Sequence, residues 1–108
     1  MEIIFHAHHA VMSPRLRARA ERLVEKLGAR LARPVDAIVR FEQDGPVRRV
    51  EITLHAPRRR ALITEGFAHT YGPALGEAAA CMQARIARLR RTPKSRAGAR
   101  ARRRTAST

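Results

Sequence analysis

Apolar and polar residues recur along the chain in two rhythms, one of period two and one of period three to four, and each predicts an element. Residues 2–6, Glu-Ile-Ile-Phe-His, are β-branched and aromatic and predict an opening strand. Ser13-Pro14 follows, a good N-cap before the residue best tolerated at the first helical position. From there Leu16, Ala20, Leu23, Leu27 and Leu31 recur three or four apart, one apolar stripe running to a stop at Arg33-Pro34. The adjoining stripe carries Arg15, Arg19, Arg22, Lys26 and Arg30, so this helix has one face to bury and one basic face.

Ala37, Val39 and Phe41 then alternate with Ile38, Arg40 and Glu42, a half-buried strand. Asp44-Gly45-Pro46 is turn chemistry, and Val50, Ile52, Leu54 and Ala56 share one side of the next segment, so the two form an antiparallel hairpin. Pro57-Arg58-Arg59-Arg60 breaks that strand and leads into a third antiparallel one, residues 61–65, closed by Gly66. Either Leu62 with Thr64 or Ala61 with Ile63 faces inward there. Leu75, Ala79, Met82, Ile86 and Leu89 mark a second amphipathic helix ending near Arg91-Thr92-Pro93, with possible caps between Thr70 and Pro73. Residues 92–108 hold no acid and no apolar periodicity and are expected to form a disordered basic tail.

These elements predict an α+β fold over residues 1–91 in the order β-α-β-β-β-α, a four-stranded mixed sheet with two helices packed on one face. A right-handed crossover through the first helix makes the first two strands parallel. Phe5 and Phe41 belong to the core, and Arg49, Glu51, Thr53 and His55 face solvent on the opposite side of the sheet.

Charge changes the picture most. The 108 residues carry 23 Lys+Arg against 9 Asp+Glu, a net charge of +14. Such an excess repels itself unless a polyanion supplies the counter-charge, which makes nucleic acid the expected partner. Only Lys26 and Lys94 are lysines. Arginine is the better bidentate ligand for phosphate, although a GC-rich genome would also favour it. One cysteine, Cys81, excludes an intramolecular disulfide and suits a cytoplasmic protein. Its place beside the apolar stripe of the second helix predicts a buried, inert thiol. No stretch approaches the roughly 20 apolar residues of a membrane span.

Basic stripes on both helices, with Arg58, Arg59 and Arg60 as a third cluster, could hold phosphates at separated points of a folded RNA; a basic face can also be merely solvated. The four aromatic residues offer no evident platform for stacking single-stranded bases. No phosphate loop, nucleophile elbow or carboxylate pair appears, so a binding protein is expected, with no enzyme activity, cofactor or small-molecule substrate. His6, His8 and His9 lie close in sequence, but no second cluster has metal-ligand spacing, and no metal site is expected.

The opening Ile3-Ile4-Phe5, the cap Ser13 followed by Leu16-Arg17, Thr53-Leu54-His55, Glu65-Gly66 and the Arg-rich second helix come in an order that resembles the ribosome hibernation promoting factor family. This family is also called the ribosome-associated inhibitor or sigma-54 modulation family, and the resemblance, to its short form, covers residues 1–91. It implies a monomeric, cytoplasmic translation inhibitor of stationary phase or stress, bound to the small ribosomal subunit and its rRNA. It also implies that Arg22, Lys26, Arg85, Arg88, Arg90 and Arg91 contact rRNA. The chain departs from the family at His69-Thr70-Tyr71-Gly72-Pro73, where the second helix begins, in the very basic loop 57–60, and in its tail. Two other readings stay open: a general structured-RNA or DNA-binding protein without ribosomal specificity, and a protein-interaction adaptor.

Overall fold

A computed structural model describes residues 1–31, 35–56 and 60–106, with side chains in the last helix described as far as Leu89. The elements are β1 (Ile3–His8), α1 (Pro14–Gly28), β2 (Asp36–Asp44), β3 (Val47–His55), β4 (Leu62–Ala68) and α2 (Tyr71–Ala106). They form one four-stranded sheet in the order β1-β2-β3-β4. β1 pairs with β2 in parallel, and the β2-β3 and β3-β4 pairs are antiparallel, so the α+β architecture read from the sequence is the observed one.

Period-two alternation sets the register. Cross-strand rows Ala37-Leu54-Leu62, Val39-Ile52-Thr64 and Phe41-Val50-Gly66 line the inner face. The fourth strand therefore resolves in favour of Leu62 and Thr64 pointing inward, and Ile63 is exposed. Asp44 pairs with Val47, which leaves a two-residue turn, Gly45-Pro46. Gly45 has φ +64°. A positive first central residue followed by proline is the hairpin geometry whose twist matches that of the strands.

α1 and α2 cover the inner face. Ala20, Val24 and Leu27 of α1, and Ala74, Leu75, Ala78, Met82 and Ile86 of α2, are buried against it. Thr64 keeps its buried hydroxyl satisfied by donating to Ala78 O at 2.9 Å. Gly66 sits where a Cβ would lie 2.0 Å from Ala74 O, so helix backbone rests directly on strand backbone there.

Five expectations are corrected. β4 does not close at Gly66 but runs on to Ala68, with Gly66 paired to Val50 inside the ladder, where its missing side chain admits α2. α1 ends at Gly28, ahead of the stop at Arg33-Pro34, which lies outside the described residues. Glycine is a weak helix former, and tight turns take over, with Arg30 N–H donating to Leu27 O and Leu31 N–H to Gly28 O, both at 3.1 Å. α2 runs past Arg91–Pro93 to Ala106. The Ala and Arg that follow are strong helix formers, against which one proline weighs locally. Cys81 is exposed, because its helical position falls just off the stripe formed by Ala78 and Met82. Thr53, placed in solvent by its polarity, is buried on the open sheet face in the row Ile4-Ile38-Thr53-Ile63.

Candidate nucleic-acid interface

Ser13 caps α1 by accepting from the Leu16 N–H at 3.1 Å, and Pro14 occupies the first turn. With Ala20, Val24 and Leu27 turned to the sheet, the 3.6-residue period leaves Arg15, Arg19, Arg22 and Lys26 exposed on the outside. Arg17, which the apolar and basic stripes did not single out as a contact, is also exposed, but on a different side of α1, where it lies over the Phe5 ring at 4.7 Å. Arg30, last of the basic stripe, is half-buried beyond the helix end. Neither helix has an acidic residue in its first turn. Arg15 and Arg17 at the positive end of the α1 dipole oppose the usual preference and strengthen the local positive potential.

Two of the anticipated contacts also fasten the fold. Arg19 Nη1 donates to Gly72 O at 3.1 Å and ties α1 to the start of α2. Arg85 Nη1 donates to Ile63 O at 3.0 Å, while the Glu77 carboxylate accepts from Phe67 N–H at 2.7 Å. Together these side chains engage the outer edge of β4. A guanidinium has five N–H donors, so Arg19 and Arg85 both retain donors for another acceptor. Arg88 is exposed one turn beyond Arg85, and Arg60 is exposed at the entrance to β4. Arg58 and Arg59 lie outside the described residues, as do the side chains of Arg90 and Arg91.

Three of the carboxylates go elsewhere. On the sheet face away from the helices, Arg49 pairs with Glu42 at 2.6 Å, with Glu51 at 2.9 Å and with Glu65. Arg40 adds a contact to Glu51 at 3.4 Å. Hydrogen bonding to Glu65, the largest influence, and to Glu42 raises the Arg49 pKa further above its ordinary value, with burial opposing. This network ties β2, β3 and β4 together and holds three acids close to two arginines. Among the described residues, none of Arg15, Arg17, Arg19, Arg22 or Lys26 forms an ion pair, although Glu21 and Glu25 are on the same helix.

No group of three or more His, Cys, Asp or Glu side chains is arranged to hold a metal among the described residues, and His8 and His9 meet only ring to ring at 4.2 Å. No helix is long and apolar enough to cross a membrane among the described residues.

A two-helix, four-stranded domain with this charge division matches a known family over most of its length. The model of the sigma 54 modulation protein / S30EA ribosomal protein family matches residues 3–94. The chain belongs to that family. This sigma 54 modulation/S30EA domain resembles the N-terminal domain of Thermus thermophilus Protein Y with a TM-score of 0.73 at 18% identity, covering 82% of this chain and 99% of that one. It also resembles a ribosomal subunit interface protein from Coxiella burnetii, with a TM-score of 0.71 at 12% identity, covering 83% and 98% of the two chains. No curated protein matches it in sequence. Identities so low carry the fold, and the family match carries the assignment to a ribosome-associated family.

Proposed function

We propose that the chain binds the small ribosomal subunit through rRNA, in the cytoplasm, and restrains translation by occupying a cleft that messenger or tRNA would otherwise enter. The observation that supports this most is the separation of charge: the α1 cations have no carboxylate partner among the described residues, while Glu42, Glu51 and Glu65 are engaged with Arg40 and Arg49 on the opposite face. An array of guanidinium and ammonium groups on a rigid helix layer suits the phosphates and 2′-hydroxyls of structured RNA, which is read mostly by shape. Blocking such a cleft requires binding without turnover, and it can be done by a monomer. The Coxiella burnetii relative is a ribosomal subunit interface protein, which is consistent with this location.

Co-sedimentation with purified small subunits tests the proposal. The protein travels with subunits at low salt, and its affinity falls with a log–log slope of roughly −0.7 to −0.9 per phosphate contacted. Exchanging Arg22→Glu and Lys26→Glu together lowers that affinity at least tenfold with an unchanged circular dichroism spectrum. Sedimentation of the double variant like the wild type would show that α1 is not the contact surface. Preference for bulk duplex over subunits at raised salt would favour a general nucleic-acid binder instead.

A further inference from the structure

At the end of the sheet where the Gly45-Pro46 turn lies, three chain segments converge around an open cavity of about 470 Å³. They are the β1–α1 connection (His9, Val11), the β2–β3 hairpin (Gln43, Arg48) and the junction of β4 with α2 (His69, Tyr71). That volume is within the range of small-ligand sites, roughly 300 to 1,000 Å³. Tyr71, the single tyrosine, packs edge-on against the buried Phe41 at 5.5 Å, and the Arg48 guanidinium lies over its ring at 5.9 Å.

Three features at this cavity have no explanation in the packing. His9 has φ +54°, a left-handed backbone unfavourable for a residue with a Cβ and often found where function fixes the chain. Val11, at the rim, is 88% exposed, the most exposed large apolar side chain described. The Tyr71 hydroxyl is buried without a hydrogen-bond partner among the described residues. Glu42 is the carboxylate whose field reaches Tyr71, and it is held by Arg49 at 2.6 Å. Arg48 and two imidazoles thus face the cavity with little opposing charge, beside an apolar wall of Val11 and Tyr71.

We propose that this cavity accepts one unstacked nucleotide, its base against the apolar wall and the Arg48 plane, and its phosphate at Arg48 and the His9 and His69 rings. Aromatic rings and guanidinium planes are the usual platforms for splayed bases, and their polar edges find donors and acceptors in groups such as the Gln43 amide. The inference deepens the RNA-binding reading and rests on it, adding a pocket for a base to a surface that otherwise recognises phosphates. The nucleotide can be free or part of an RNA chain, since the chemistry recognised is the same.

NMR titration of the full chain with uridine and adenosine 5′-monophosphates, uridine, inorganic phosphate and the trinucleotide UUU tests it. At least one monophosphate shifts the Val11 methyl, Thr70 and Tyr71 resonances saturably, and inorganic phosphate and uridine bind at least tenfold more weakly. Arg48→Ala weakens binding at least tenfold, and so does Val11→Asp, which places a carboxylate on an exposed site where folding is not at stake. Tighter binding of UUU assigns the pocket to a nucleotide within RNA, and equal binding to a free one. Absence of saturable shifts, an equal response to inorganic phosphate, or binding that survives both variants overturns the proposal. Because Arg22→Glu/Lys26→Glu leaves this titration unchanged, its failure is distinguishable from failure of small-subunit binding.

Discussion

Gly66 shows how much one missing atom can decide. A Cβ there would lie 2.0 Å from Ala74 O and 2.7 Å from Ala78 N, both backbone atoms that cannot rotate away. Gly66→Ala therefore has to push α2 off β4, and an equilibrium denaturation series should show a loss of about 3 kcal/mol. Thr64→Ala, by comparison, leaves the Ala78 carbonyl with its helical bond and costs about 1 kcal/mol. Tyr71 offers a second measurement at this scale. Burial pushes its hydroxyl above the ordinary phenol value of 10.0, with Arg48 opposing and Glu42 assisting. An ultraviolet titration of this sole tyrosine should give a midpoint above that of the denatured chain. Since the raised pKa favours the protonated form, the associated stability is complete below the unfolded midpoint and disappears as pH rises through the folded one. Glu65-Gly66 was legible as a motif, but not as the interior of a strand that in fact runs on to Ala68. Nor was its physical reason, helix backbone seated on strand backbone, because a sequence does not show which element approaches a glycine.

Elements were read more successfully than their ends and edges. The apolar periods of three, four and two residues gave all six elements in order and the direction of the sheet, since burial enforces those periods whatever the detailed contacts. Gly28, which ends α1 early, lies inside an apolar stripe that continues to Leu31, so periodicity alone runs past it. The arginines posed a different difficulty. Arg40 and Arg49 look like further phosphate ligands until the register places them among Glu42, Glu51 and Glu65. That register makes a prediction. Removing Arg49 crowds three carboxylates on neighbouring strands, where like charges destabilise the pairing. Arg49→Gln should lower the melting temperature more than Glu42→Gln, Glu51→Gln or Glu65→Gln, and raising salt should narrow the gap. Equal losses in the four variants would show that the network acts as independent pairs.

For the whole molecule, the division into a folded domain and a basic extension is itself a proposal. Over residues 1–91 there are seventeen basic and nine acidic residues, and residues 92–108 add six basic residues and no acid. Residues 92–108 have no apolar stripe to bury, so we infer that they add long-range attraction and little stability. Truncation after Arg91 should leave the thermal unfolding midpoint unchanged while weakening binding to small subunits and flattening its salt dependence. A lowered midpoint would show that the extension is part of the fold. The anticipated contacts separate in the same way. The α1 cations were legible because one helix carries them at a fixed spacing. The cavity around Tyr71 was not, because its walls come from three segments, His9–Val11, Gln43 with Arg48, and His69–Tyr71, that lie far apart in the chain and share no motif.

Gathering Glu42, Glu51 and Glu65 on the outer face of the sheet, opposite the unpaired α1 cations, gives the protein an electric moment perpendicular to its sheet. In the field of a polyanion such a body is turned before it arrives, with the helices leading and the carboxylates trailing, so that fewer encounters are wasted on the wrong side. Stopped-flow mixing would register this as an association rate that collapses with added salt while the lifetime of the complex changes much less.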